Sequence, residues 1–249
     1  MTDYNLYRGS IFHCIEDGGN VKPVYFPDGL MVVSEGKIVE VGEYSELSVR
    51  FRSGDHIVHF KDSLIMPGFI DSHIHYPQYK VISSYGTSLL QWLNKYTFVE
   101  EQKFSDIDYA SRIAELFLDE LIRNGTTTAM TFCTSHKQSV DVFCSAAEKR
   151  NLRMIAGKVM MDRNAPEELC DDVESSYADS KSLIEKWHNK GRLSYAVTPR
   201  FAPTSTEGQL IQAAKLLKEY PNTKSAKGVL LQTHLNENSD EIAWVKELY

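Results

Sequence analysis

The chain has 249 residues, of which 42% are hydrophobic and 24% charged, and a formal net charge of −7. That balance describes a globular protein with length for a sizeable core, as one large or two small domains. No basic run stands out, which argues against an extended nucleic-acid partner. No apolar stretch approaches the ~20 residues that span a bilayer.

The first residues, Met1-Thr2-Asp3-Tyr4-Asn5, show neither the charged nor the apolar region of a signal peptide. The four cysteines, Cys14, Cys133, Cys144 and Cys170, form no C-x-x-C pair and lie mostly in apolar patterns. This usage suits reduced thiols in a cytoplasmic protein, not a disulfide scaffold or a cysteine-based zinc site.

In chain order, the N-terminal part reads as short strands. Ser10–Ile15 is one. Leu30–Val33 and Ile38–Val41 form a hairpin through Ser34-Glu35-Gly36-Lys37, with Gly36 supplying the positive φ. Asp55–Phe60 is another strand. His56 and His59 are three apart, face opposite sides of it, and read as structural or solvated. Residues 1–65 thus predict a small β-layer or sandwich.

From residue 66 strands alternate with helices. An apolar strand of Ile65, Phe69, Ile70 and Ile74 ends in His73-Ile74-His75, and Pro77 stops its ladder. A short helix follows over 88–96. A strong amphipathic helix over 105–124 has Ser105 as N-cap, Gly125 as stop, and Ile107, Ile113, Leu116, Phe117, Leu121 and Ile122 on one side. Strands over 126–133, 153–161, 193–201 and 228–234 alternate with helices over 137–150, 172–189, 205–219 and 240–249. Val229-Leu230-Leu231 is apolar without alternation, as in a strand covered on both faces. The pattern predicts an α/β fold with a parallel sheet: a TIM-type (β/α) barrel represented by about five of its eight units.

Barrel active sites lie at the carboxyl ends of the strands. Those ends carry His73 and His75, then Thr134-Ser135-His136, then Pro199-Arg200-Phe201, and last Gln232-Thr233-His234-Leu235-Asn236-Glu237. His73 and His75 share one face of a strand and can grip one metal. A metal held by neutral imidazoles lowers the pKa of bound water to about 7, and a carboxylate outside its shell can move protons. Glu237 suits that role, or else opens the helix that follows, where an acid complements the dipole. Arg200 is either a surface ion-pair partner or a planar group fixing a polar ligand beside Phe201. Trp92 is open between core and pocket wall. His136 has no assignment, and His13 and His188 read as non-functional.

The run Pro67-Gly68-Phe69-Ile70-Asp71-Ser72-His73-Ile74-His75 resembles the opening motif of the amidohydrolase superfamily. Within that superfamily, four further segments resemble guanine deaminases: Tyr76–Tyr79, Leu89–Phe98, Thr198–Phe201 and Gln232–Asn238. The resemblance implies a metal-dependent barrel (66–249) with a β-sandwich part (1–65), and hydrolysis of guanine to xanthine and ammonia by a zinc-activated water. It implies one zinc per subunit on His73, His75 and His234, with iron suiting the same ligands, and Glu237 as proton shuttle. Purine contacts then come from His75, Gln78, Arg200, Phe201, His234 and Glu237, with Trp92 and Leu93 alongside. A cytoplasmic homodimer is the implied setting of the full-length protein.

Members of the resembling family are much longer. They add a fourth metal-site His on the sixth strand and an Asp on the eighth, beyond the residues present here. The expectation is therefore a truncated barrel, inactive or unstable unless a second chain completes it. The competing readings are another ring deaminase or chlorohydrolase of the same superfamily, and an inactive fragment that keeps the motif. Binuclear members carry a bridging Lys on the fourth strand; no Lys lies between Leu193 and Pro203, so one metal is expected.

Overall fold

The computed structural model describes residues 4–51 and 56–249. Asp55 and residues 1–3, which the sequence places in a strand and in the N-terminal segment, lie outside the described residues. The chain divides into two compact units, Met1–Gly68 and Phe69–Tyr249.

The first unit is a four-stranded sheet of β1 (Asn5–Asp17), β2 (Asn20–Ser34), β3 (Lys37–Glu43) and β4 (Ile57–Ile65), in the order β3-β2-β1-β4. A short helix α1 (Tyr44–Leu47) follows β3. β2 pairs antiparallel with β1 and β3, while β4 runs parallel to β1. The β2–β3 turn has Glu35 at φ 51° and Gly36 at φ 73°. Both turn residues are therefore left-handed, the geometry that matches the twist of a two-residue hairpin. Leu6, Leu30, Val32 and Leu47 form its small core. Among the described residues this unit is a single sheet.

The second unit holds β5 (Phe69–His75), β6 (Thr126–Phe132), β7 (Arg153–Gly157), β8 (Val159–Met160), β9 (Ser194–Pro199) and β10 (Leu230–Leu231). All pairings are parallel, in the order β10-β9-β7-β6-β5, with β8 also on β9. Its helices are α2 (Leu89–Trp92), α3 (Phe98–Glu101), α4 (Ile107–Arg123), α5 (Lys137–Lys149), α6 (Val173–Trp187), α7 (Glu207–Glu219) and α8 (Ser239–Leu248). The main core packs the α4–α7 faces on the sheet, with Ile113, Phe117, Phe143, Met154, Leu183 and Tyr195 at its centre. No helix of the described residues is long and apolar enough to cross a membrane.

The structure corrects the sequence reading at several points. Ile65 belongs to β4, not to the His-bearing strand, because Met66-Pro67-Gly68 separates the two. The N-cap of α4 is Asp106, whose carboxylate accepts from the Asp108 and Tyr109 amides at 2.9 and 3.2 Å. Ser105 instead bonds back to Gln102 O. The buried face of α4 runs through Ala110, Ile113, Ala114, Phe117, Leu118 and Leu121, leaving Ile107, Leu116 and Ile122 exposed. The strand expected over 153–161 is broken at Lys158, whose amide donates to Tyr195 Oη. Position 157, just before the break, takes only glycine, because an added Cβ would lie 1.7 Å from Ala196 O. The last strand is only two residues long; among the described residues β9 is its single neighbour, and Leu230 and Leu231 are exposed.

Candidate metal and ligand site

His73 and His75 leave the carboxyl end of β5 on one side of the strand, and His234 follows β10. One potential ligand atom from each lies within 4.8 Å of the others. The Nε2 atoms of His75 and His234 are 3.0 Å apart. Phe132, at the end of β6 and fully buried, packs on all three rings, with centroids 5.1, 4.5 and 4.4 Å from those of His73, His75 and His234.

The tautomer of His234 follows from its neighbour. Its Nδ1 lies 2.8 Å from the carbonyl oxygen of Arg200, which can only accept. Nδ1 therefore carries the proton and Nε2 presents a lone pair toward His75. The His234 amide donates to the same oxygen at 2.9 Å. Burial holds the His234 imidazolium at a pKa of about 4, with the Arg200 charge acting in the same direction. Burial, with Arg200 and the neighbouring histidines, pushes His75 well below the ordinary range. Both rings are neutral at pH 7, the form that can ligate a metal. His75 Nδ1 is buried without a hydrogen-bond partner among the described residues. Three imidazoles gathered within ligating distance of one another make a donor set that fits zinc or another borderline cation.

These histidines open onto a cavity of about 400 Å³, also lined by Gln78, Trp92, Leu93, Arg200, Phe201 and Glu237. The residues that the resemblance assigns to metal, proton transfer and purine contact thus line one cavity. Trp92, open between two roles, is a wall, its indole N–H donating to Ser84 O at 3.0 Å. Glu237 Oε1 lies 4.0 Å from His234 Nε2. It stands outside α8, whose N-cap is Asn238, so it does not open that helix. Asn236, at φ 58°, turns the chain just before it. The Glu241 carboxylate accepts from the Asn236 and Glu237 amides at 3.2 and 2.7 Å and fixes this turn. Burial, then the nearby Glu241 charge, raises the Glu237 pKa.

Arg200 is buried, not on the surface, and its Nη1 donates to both carboxylate oxygens of buried Glu101 at 3.0 and 2.8 Å. The sequence reading missed Glu101 and Phe132. A buried arginine demands a carboxylate, but nothing in the local pattern selects Glu101 from the acidic run Glu100-Glu101. His136 sits at the N-cap of α5, outside the cavity lining, with a buried Nε2 that has no partner among the described residues. His188 is tied to Lys227 O and the Tyr195 amide, as a structural residue is.

Residues 64–249 match the model of the amidohydrolase family. The guanine deaminase of Escherichia coli (strain K12) is 50% identical over 225 residues, covering 90% of this chain and 50% of that protein. A solved structure of E. coli guanine deaminase superposes with a TM-score of 0.89 at 45% identity, over 99% of this chain and 56% of that one. The crystal structure of guanine deaminase from C. acetobutylicum, with guanine bound in its active site, superposes at 0.86 with 33% identity, over 98% and 56%. The chain spans about half the length of the curated relatives it matches.

Proposed function

Because this chain belongs to the amidohydrolase family, whose members are built on a TIM-type barrel, we propose that it carries the guanine-binding and metal-binding parts of a guanine deaminase. The reaction is hydrolysis of guanine to xanthine and ammonia: a C–O bond forms from water, the C–N bond to the exocyclic amine breaks, and the amine leaves with a proton. The observation that carries the proposal is the convergence of three histidines, Glu237, Arg200 and Phe201 on one cavity. The likeness to guanine deaminases at 50% and 45% identity supports guanine over other ring substrates.

In this proposal His73, His75 and His234 hold one zinc ion per subunit. The ion supplies Lewis-acid activation of water near neutral pH. Glu237 moves protons: it protonates a ring nitrogen of the purine and then assists the leaving amine. Its raised pKa suits an acid that must also act as a base. Arg200 and Gln78 donate to purine acceptors, and Arg200 offsets the negative charge that attack places on the ring. Phe201, Trp92 and Leu93 cover the ring and exclude water. The same proposal places residues 1–65 in a β-sandwich and gives 66–249 about five units of an eight-unit barrel. It takes the protein to be a cytoplasmic homodimer, a setting compatible with the free thiols of Cys133 and Cys144.

The test is ammonia release from guanine by the 249-residue chain, with and without zinc, beside its His73→Ala variant. Zinc-dependent release by the parent, reduced at least 100-fold in the variant, supports the reading. Release from a triazine or another purine in preference to guanine would replace the substrate. No release from a folded, zinc-loaded chain would favour the competing reading, an inactive fragment that keeps the motif.

A further inference from the structure

We infer that Glu101 is a positioning residue for ligand recognition, holding Arg200 so that its free guanidinium donors face the cavity. The inference rests on the proposed function, since it takes the ligand to be a guanine-type purine.

Glu101 and Arg200 have side-chain exposures of 0% and 2%. Both hydrogen bonds between them come from one nitrogen, Nη1. A guanidinium has five N–H donors, so Nε and Nη2 keep theirs. Arg200 lines the cavity and Glu101 does not. The carboxylate thus grips the guanidinium away from the ligand.

The support is built into one continuous helical segment. α2, a single π-helical turn at Leu93–Thr97, and α3 run without interruption. Leu89, Trp92 and Leu93 of this segment wall the cavity. Phe98 lies 5.3 Å from the Arg200 guanidinium carbon, and Glu101 takes its charge. A π-turn inserts one residue into the helical register, a device frequent at functional sites. Here it lets one segment present wall residues at its start and a buried carboxylate at its end.

Stability alone is a poor reason for such a pair. Desolvating two charges costs several kcal/mol per ion, and well-packed apolar replacements are often neutral or stabilising. A buried arginine that must stay charged and oriented for a ligand needs its carboxylate regardless. The tie from Arg200 to His234 is different in kind, because it runs through the main-chain oxygen. Loosening the side chain through Glu101 should leave the histidines in place.

The experiment measures xanthine binding, by quenching of tryptophan fluorescence, to the zinc-loaded 249-residue chain. Xanthine is the product of the proposed reaction and is not turned over. Zinc content and thermal midpoint are recorded beside it for the parent, Glu101→Gln, Glu101→Asp, Arg200→Met and Glu101→Leu/Arg200→Met. Glu101→Gln should weaken xanthine about 10- to 100-fold, the range for a lost charge-assisted hydrogen bond, with zinc content unchanged. Glu101→Asp should recover part of the loss. Adding Glu101→Leu to Arg200→Met should cost no further affinity. Parent-like binding by Glu101→Gln overturns the inference alone. Parallel loss of zinc, midpoint and affinity in Glu101→Gln assigns Glu101 to the fold and also overturns it. A folded, zinc-loaded parent that binds neither xanthine nor guanine removes the proposed function, and the inference with it.

Discussion

The carbonyl oxygen of Arg200 joins the two halves of the site. It fixes the His234 ring through Nδ1, while the side chain of the same residue lines the cavity. The pattern Pro199-Arg200-Phe201 at a strand end pointed to Arg200 as a ligand contact, and the structure places it on the cavity. It could not disclose Glu101, 99 positions away, because a long-range ion pair leaves no local periodicity. Glu241 is equally hidden, because an acid in the first turn of a helix is ordinary. Its buried carboxylate, bonded to the Glu237 amide, stands close enough to disfavour ionisation of Glu237. A negative neighbour raises a carboxyl pKa, so removing it must lower that pKa. In a zinc-loaded chain that deaminates guanine, Glu241→Gln should move the pH–rate limb belonging to Glu237 toward lower pH. The amide oxygen can keep one of the two main-chain hydrogen bonds that the carboxylate accepts. An unmoved limb in kcat/KM against pH would show that the two carboxylates are uncoupled.

Elements were legible where the local sequence both starts and stops them. The β2–β3 hairpin, α5 and α6 fall close to their expected positions, since turn residues, amphipathic spacing and caps are written within a few residues of one another. Boundaries decided by tertiary contact were not. The break between β7 and β8 falls beside Gly157, whose close approach to Ala196 O is a tertiary contact, and the π-turn at Leu93–Thr97 has no composition of its own. At α4 two adjacent candidates compete for the cap. Asp106 is the one whose side chain accepts from the first-turn amides. Asp106→Ala should therefore lower unfolding free energy by about 1 kcal/mol, while Ser105→Ala should change it by a few tenths at most. Denaturant unfolding of the two variants against the parent separates them, and equal losses would mean that the cap is shared.

At the scale of the molecule, alternation of apolar strands and amphipathic helices was enough to indicate a parallel α/β sheet, and strand-end polarity singled out residues that line one cavity. What alternation does not report is which strands have neighbours on both sides. Among the described residues β5 pairs only with β6, and β10 only with β9. These end strands also carry exposed apolar side chains: Ile70 is 75% exposed, Phe69 56%, and Leu231 48%. An unpaired strand edge with apolar side chains is a template for pairing with another chain, and a charged side chain on that edge opposes it. The 249-residue chain should therefore associate with itself increasingly as its concentration rises, through these edges. In sedimentation equilibrium the weight-average mass should climb above that of the monomer, and Ile70→Lys with Leu231→Lys should bring it back. Both positions are solvent-facing, so the fold should tolerate lysine, with a thermal midpoint close to the parent's. A parent that sediments as a monomer over a hundredfold range of concentration would show that neither edge is adhesive. Persistent association in the double variant would place the contact elsewhere, on a surface that strand pairing does not explain.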